Sequence, residues 1–266
     1  MAGTTAQRPD QIAQAGAVAK PRLKSASRSV HIALSRHLRT IAGTLPRLLA
    51  AANPPIEGLS KAGQNVGIVN EQLINRSVCV YCASSRSAHP DYRDAAHRLG
   101  ATLAEHGIGV VYGGGAVGSM GALADGALSK GGRVIGILPK FMAELEWGHP
   151  GLSELQLVED MRTRKHLMLT RSQGAIALPG GSGTLEELLE AITLKRLGLY
   201  THPIVLVNTR GFFNHLLDLF SRTVEERFMD ERHLLMWQVV SQPEDVPQAI
   251  EKAPSWTADA RTFATV

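Results

Sequence analysis

Arg164 and Lys165 stand side by side in "EDMRTRKHLM", and Glu187 closes the stretch "PGGSGTLEE", Pro179 to Glu187. Together they supply two cations, a carboxylate and a bare main chain, the parts needed to hold a phosphate and act on a bond near it. Gly180, Gly181 and Gly183 leave the backbone open, so amides can converge on an anion. A helix starting at this point adds unpaired N–H groups and the positive end of its dipole. The loop lacks the G-K-[ST] ending of a Walker A loop, which argues against triphosphate hydrolysis. Thr184 and Glu187 also have the T-x-x-E spacing of a capping box, which makes Thr184 the expected helix start and Glu187 its cap. Adjacent cations on a helix are often only a solvated face. Spacing alone therefore leaves Glu187 open between cap and reactive carboxylate.

A second glycine-rich loop, "YGGGAVGSMG", carries Gly113, Gly114, Gly115 and Gly118. Gly113, Gly115 and Gly118 fit G-x-G-x-x-G between a strand and a helix, the context of a dinucleotide fingerprint. That fingerprint needs an acid about 20 residues on, at the end of the next strand. Pro139 and Lys140 stand there instead. The loop is therefore expected to make a tight turn with close backbone approach, or to serve helix–strand packing alone. No cofactor is expected. Cys79 and Cys82 form a C-x-x-C with no second pair to complete a metal site, so no metal is expected either. They fall in one expected strand, "SVCVYCAS", where a spacing of three puts them on opposite faces. Two structural thiols suit a reducing compartment and a cytoplasmic protein.

The elements that must position these residues follow a regular pattern. Short apolar runs rich in Val and Ile ("SVCVYCAS", "IGVVY", "RVIGILP", "GAIALPG", "PIVLVN") alternate with helical segments that end in glycine. Continuous apolar strands are those of a parallel sheet covered on both faces. The expected fold is α/β: a Rossmann-like, doubly wound parallel sheet in three αβα layers. In such sheets ligands bind beyond the carboxyl ends of the strands, where both glycine loops fall. A last strand is expected in "LLMWQVVS" and a last short helix in "PEDVPQAIEKA".

Charge separates the chain into parts. Residues 1–76 hold ten Lys/Arg against three Asp/Glu, and the remainder 18 against 21. The basic character belongs to an N-terminal extension, residues 1–76, expected to be largely disordered or partly helical. Within it, apolar residues from Val30 to Leu48 recur at helical spacing between arginines, as in a tail helix or an organelle-targeting helix. "AANPPIEG" reads as a linker. The Rossmann-like domain is expected over 77–255, followed by a tail, 256–266. No run approaches the roughly 18 apolar residues of a membrane span. No basic stripe with interleaved aromatics marks a nucleic-acid surface in the acidic body. Neither a membrane nor a nucleic acid is an expected partner.

"PGGSGTLEE", with "MRTRK", "YGGGAVGSMG" and "CVYCASS", resembles the Lonely Guy (LOG) family, the cytokinin riboside 5′-monophosphate phosphoribohydrolases, also labelled lysine decarboxylases. The resemblance covers about residues 77–250. It implies hydrolysis of the N-glycosidic bond of a purine nucleoside 5′-monophosphate, N6-modified or AMP itself, to free base and ribose 5-phosphate. It implies catalytic roles for Arg164 and Glu187. It implies substrate contacts at Glu146, Lys165, Gly181, Ser182, Gly183, Thr184, Leu185, Glu186 and Thr193, and a homodimer or larger homo-oligomer with the site near the subunit interface. Arg162, Thr163, Ser119 and Gln173 depart from the family pattern; they bear on base preference and rate more than on reaction type. Pyridoxal phosphate chemistry has no candidate lysine in a recognisable setting. The alternative is a non-catalytic carrier of a nucleotide or of the molybdenum cofactor on the same fold, which need not keep both Arg164 and Glu187. On the hydrolase view Glu187 caps the helix in the empty site and turns to the ribose when substrate is bound.

Overall fold

The computed structural model describes residues 76–144 and 148–265. The chain divides into two units, Met1–Asn65 and Val66–Val266, and every described residue belongs to the second. The expected segment 1–29, the helix across 30–48, the linker "AANPPIEG" and Glu146 lie outside the described residues.

Seven strands form one sheet: β1 (Ser77–Tyr81), β2 (Gly109–Tyr112), β3 (Val134–Pro139), β4 (Glu154–Val158), β5 (Ala175–Ala177), β6 (Ile204–Val207) and β7 (Gln238–Val240). Their order is β4-β3-β2-β1-β5-β6-β7, and every neighbouring pair is parallel. The helices are α1 (Pro90–Glu105), α2 (Gly118–Ser129), α3 (Lys140–Ala143), α4 (Met161–Thr170), α5 (Ser182–Arg196), α6 (Asn214–Glu225) and α7 (Val246–Lys252).

Alternation along each strand divides the core into two layers. Cys79, Tyr81, Ile137, Ala177 and Leu206 pack with Met168 of α4, Leu188 of α5 and Phe220 of α6. Val78, Val80, Cys82, Tyr112 and Val207 pack with Leu99 of α1, Leu123 of α2 and Val246 of α7. The two thiols thus face opposite layers, as a spacing of three requires, and both are free and buried. Chain order reverses between β1 and β5, which places the switch point of the sheet at their carboxyl ends.

Four differences from the sequence expectations have physical reasons. β4 was not expected: "ELQLV" alternates because it is an edge strand, with Leu155 and Leu157 exposed, and it lacks the unbroken apolar run of the covered strands. α3 is a single turn after Pro139 and gives no periodic signal. In "LLMWQVVS" only Gln238–Val240 pairs with the sheet; a 3₁₀ helix, Glu231–Met236, takes the first residues. The expected tail is packed: Trp256 Nε1 donates to Lys195 O at 2.8 Å, Arg196 Nη2 donates to Ala264 O, and Ala260 and Ala264 are buried.

Candidate active site

α5 follows β5 through "LPGG" and begins at Ser182, with Gly181 in extended conformation at the N-cap and no side-chain cap. The expected capping box is therefore absent. The bare glycine lets the helix start earlier, so Glu187 stands in the second turn, out of reach of the N-cap amide. The Ser182, Gly183 and Thr184 amides precede the first intrahelical bond, Leu185 N to Gly181 O, and stay open. Gly180 makes room for Thr184: a Cβ there would lie 2.2 Å from the Thr184 hydroxyl. A Cβ on Gly181 or Gly183 would meet nothing within 4 Å.

Asp160 caps α4 by accepting from Thr163 N at 2.7 Å, and Arg164 lies one turn inside that start. Arg164 is 4% exposed. Its Nε donates to Ile137 O and its Nη2 to Gly113 O, both at 3.1 Å. These carbonyls sit at the carboxyl ends of β3 and β2, so the sheet itself seats the guanidinium. Gly113 has to be glycine for that purpose, since a Cβ would fall 2.0 Å from Nη2. The first glycine loop is accordingly the seat of an arginine. Its last glycine, Gly118, has φ +64° and presses α2 against the Ser84 and Ser85 backbone, where a Cβ would come within 2.6 Å. Gly115 bridges to Gly148, and Gly114 takes φ +82° in the turn between.

Arg164 and Glu187 line one cleft of about 360 Å³, together with Cys82, Ala83, Ser84, Ser85, Met120, Met142, Met161, Gly181, Ser182, Gly183, Thr184 and Glu186. The cleft stands at the switch point between β1 and β5. Glu187 is 7% exposed, and burial pushes its carboxyl up to about 7. The Arg164 charge opposes that rise, while Glu186 adds to it. Among the described residues, no carboxylate forms an ion pair with Arg164 and no side chain hydrogen-bonds Glu187. The cleft therefore holds a seated cation with no counter-ion among the described residues, a carboxyl group pushed up to about 7, and an open helix end.

Not every residue implicated from sequence comes together here. One helical step turns a side chain by about 100°. Lys165, next to Arg164, consequently faces outward and pairs with Glu186 and with Glu190, the latter at 2.9 Å. It lines a separate groove of about 720 Å³ with Glu190, Leu194 and Tyr200. Thr193 shares the outer face of α5 with Glu186 and Glu190; it is exposed, and its hydroxyl donates to Leu189 O. Leu185 packs against the core beneath the loop. Ser84, Ser85, Met120, Met142 and Met161 were not singled out from sequence. The serines had one available signal, their place just after the strand at the switch point.

A parallel sheet with a cleft at its switch point, built from a seated arginine, a buried carboxylate and an open helix end, defines a Rossmann-like α/β protein with a candidate ligand site. The family described as "Possible lysine decarboxylase" matches residues 120–250. The cytokinin riboside 5′-monophosphate phosphoribohydrolase LOG1 of Arabidopsis thaliana is 41% identical over 163 residues, 60% of this chain and 76% of that protein. The X-ray structure of the structural-genomics target TM1055 superposes with TM-score 0.54 and 28% identity, over 66% of this chain and 99% of that one. The molybdenum cofactor carrier protein of Chlamydomonas reinhardtii gives TM-score 0.53 at 20% identity, over 67% and 98%, a likeness of fold. The chain belongs to the LOG family of phosphoribohydrolases. As for the decarboxylase label, the buried lysine among the described residues is Lys195. Its amine donates to His202 O at 2.6 Å, and it does not line the cleft.

Proposed function

We propose that this chain hydrolyses the N-glycosidic bond of purine nucleoside 5′-monophosphates, releasing the base and ribose 5-phosphate. The observation that carries this reading is the meeting of a seated Arg164, a buried Glu187 and the open amides of α5 in one cleft. The 5′-phosphate is held by the Ser182, Gly183 and Thr184 amides and by the helix dipole. Anchoring that remote group lets its binding energy place the anomeric carbon over Glu187. As the C–N bond breaks, the electron pair leaves with the base and positive charge builds on the ribose. The ionised Glu187 stabilises that charge and takes a proton from the attacking water, whose oxygen joins the anomeric carbon. Arg164 orients the substrate and offsets negative charge on the leaving purine, which takes a proton from solvent while Glu187 gives its own back; a guanidinium is a poor proton donor.

The same reading calls for a second copy of the chain. Thr193 and Lys165 are substrate contacts by family resemblance, yet both face away from their own cleft. From Glu186 to Thr193 the outer face of α5 runs about 10 Å along the helix, with Leu189 and Leu197 exposed beside it. A neighbouring copy packed on this face brings its Thr193 towards the cleft, giving a homodimer or larger assembly. Buried, free Cys79 and Cys82 suit a cytoplasmic, reducing location.

The test is incubation with AMP and with its N6-isopentenyl form, followed by chromatography for free base. Release is expected from the wild-type chain. Glu187→Gln, which keeps size, should abolish it, and Arg164→Lys should cripple it because a point charge does not replace a planar fork held at two carbonyls. Full activity in Glu187→Gln overturns the assignment.

A further inference from the structure

Three of the chain's seven methionines converge on the guanidinium of Arg164. Met142 Sδ and Met161 Sδ each lie 3.7 Å from its Nη1. The Met120 methyl flanks the opposite side, 3.1 Å from where a Gly113 Cβ would stand, next to Nη2. They come from three different elements, α2, α3 and α4, and all three line the cleft. The cleft also has a polar side: Ser84, Ser85, Ser182, the open amides of α5, and Glu186.

The two sides cannot take the same part of a substrate. Thioethers offer an anion nothing, so the phosphate belongs at the helix end. Arg164 and Glu187 occupy the floor between, where the glycosidic bond must lie. The base is then left against the methionines. We propose that Met120, Met142 and Met161 form the base-binding wall of the cleft and determine which substituents on the purine it accepts; this rests on the hydrolase reading above. Unbranched, polarizable thioethers pack well against aromatic faces and adapt their shape to what is bound. Among the described residues of α2, α3 and α4 that line the cleft, Arg164 alone carries a strong hydrogen-bonding side chain. An alkyl group on the exocyclic nitrogen therefore breaks no bond that the wall makes, and gains apolar contact with it. A site that hydrogen-bonds an amino group behaves in the opposite way and rejects the alkylated base.

The experiment measures kcat/KM for isopentenyl-AMP and for AMP in the wild type and in Met120→Gln, Met142→Gln and Met161→Gln. Glutamine keeps the length and replaces the thioether with an amide. The ratio of the two substrates should fall about fivefold or more in the variants, the scale of losing apolar contact over one or two carbons. Met161, at 36% exposure on the cleft rim, can be exchanged without disturbing the core, so at least this variant will fold. A ratio within about twofold of wild type in every folded variant overturns the wall and leaves the hydrolase reading standing. If the wild type releases base from neither nucleotide, the hydrolase reading fails. The wall is then judged by calorimetry with free isopentenyladenine and adenine. Tighter binding of the former, weakened in Met161→Gln, supports it; equal or absent binding overturns it.

Discussion

Gly113→Ala isolates the placement of Arg164 from everything else in the fold. Gly113 is outside the left-handed region, so alanine imposes no backbone strain. The added Cβ would stand 2.0 Å from Nη2 and 3.2 Å from Cζ of Arg164. Non-bonded atoms settle near 3.5 Å, so the guanidinium must move by about 1.5 Å. It loses the Nη2 bond to Gly113 O, a charged hydrogen bond of about 1.5–3 kcal/mol. Part of that returns, because the side chain is long and the cleft is open to water, and because alanine restricts the unfolded chain by about 0.4–1 kcal/mol. The net cost to stability should be about 1 kcal/mol, which lowers Tm by only about 2–4 °C. A misplacement of about 1 Å in a catalytic group costs on the order of a hundredfold in rate. Chromatographic measurement of base release should therefore show kcat/KM down about a hundredfold in a protein that melts almost normally. A folded Gly113→Ala with more than about half of wild-type activity would refute the role given to the glycine and the seat assigned to Arg164.

Glu187 yields two further expectations. Its folded-state value, about 7, lies above its ordinary value, so the native state holds the proton more tightly than the unfolded chain between the two. Its contribution is fully present at low pH and is lost as pH rises from about 4.5 to about 7. Glu187→Gln removes that loss and should raise stability relative to wild type by up to about 3 kcal/mol at pH 8 and by little at pH 4, as read by melting at the two values. In the active enzyme, kcat/KM should climb with pH through about 7 as the carboxyl ionises, and a profile flat across that range would refute a working carboxylate. Gly183→Ala improves the first turn of α5 and should raise Tm slightly, while its Cβ, pointing into open cleft, should raise KM for the phosphorylated substrate.

The parallel sheet was legible because Val and Ile runs such as "VVY" and "IVLV" have to be covered on both faces. The edge strand was not, because Leu155 and Leu157 need no cover and the alternation passes for loop. The two glycine loops were placed at the correct sheet edge, and Arg164 and Glu187 meet there. Adjacency in sequence was a poor guide to burial. Arg164 and Lys165, like Glu187 and Glu186, are neighbours in the chain but diverge by a helical step: Arg164 and Glu187 are buried, while Lys165 and Glu186 are less so and pair with each other. The T-x-x-E spacing misled for another reason: Gly181, with no side chain to cap the helix, moved its start away from Thr184. The methionines carry no signal in sequence, because their convergence requires three helices and the loop geometry between them.

The two oxygens that hold Arg164 belong to the main chain, and every amino acid has one. Replacing Ile137 with another β-branched residue leaves its oxygen in place, so family members can drift at that position without surrendering the arginine. Position 113 supplies its oxygen on equal terms but has no such latitude, because any side chain there displaces what the oxygen holds. Within one binding contact, then, one partner residue is free to vary in evolution and the other is frozen, although both contribute the same atom.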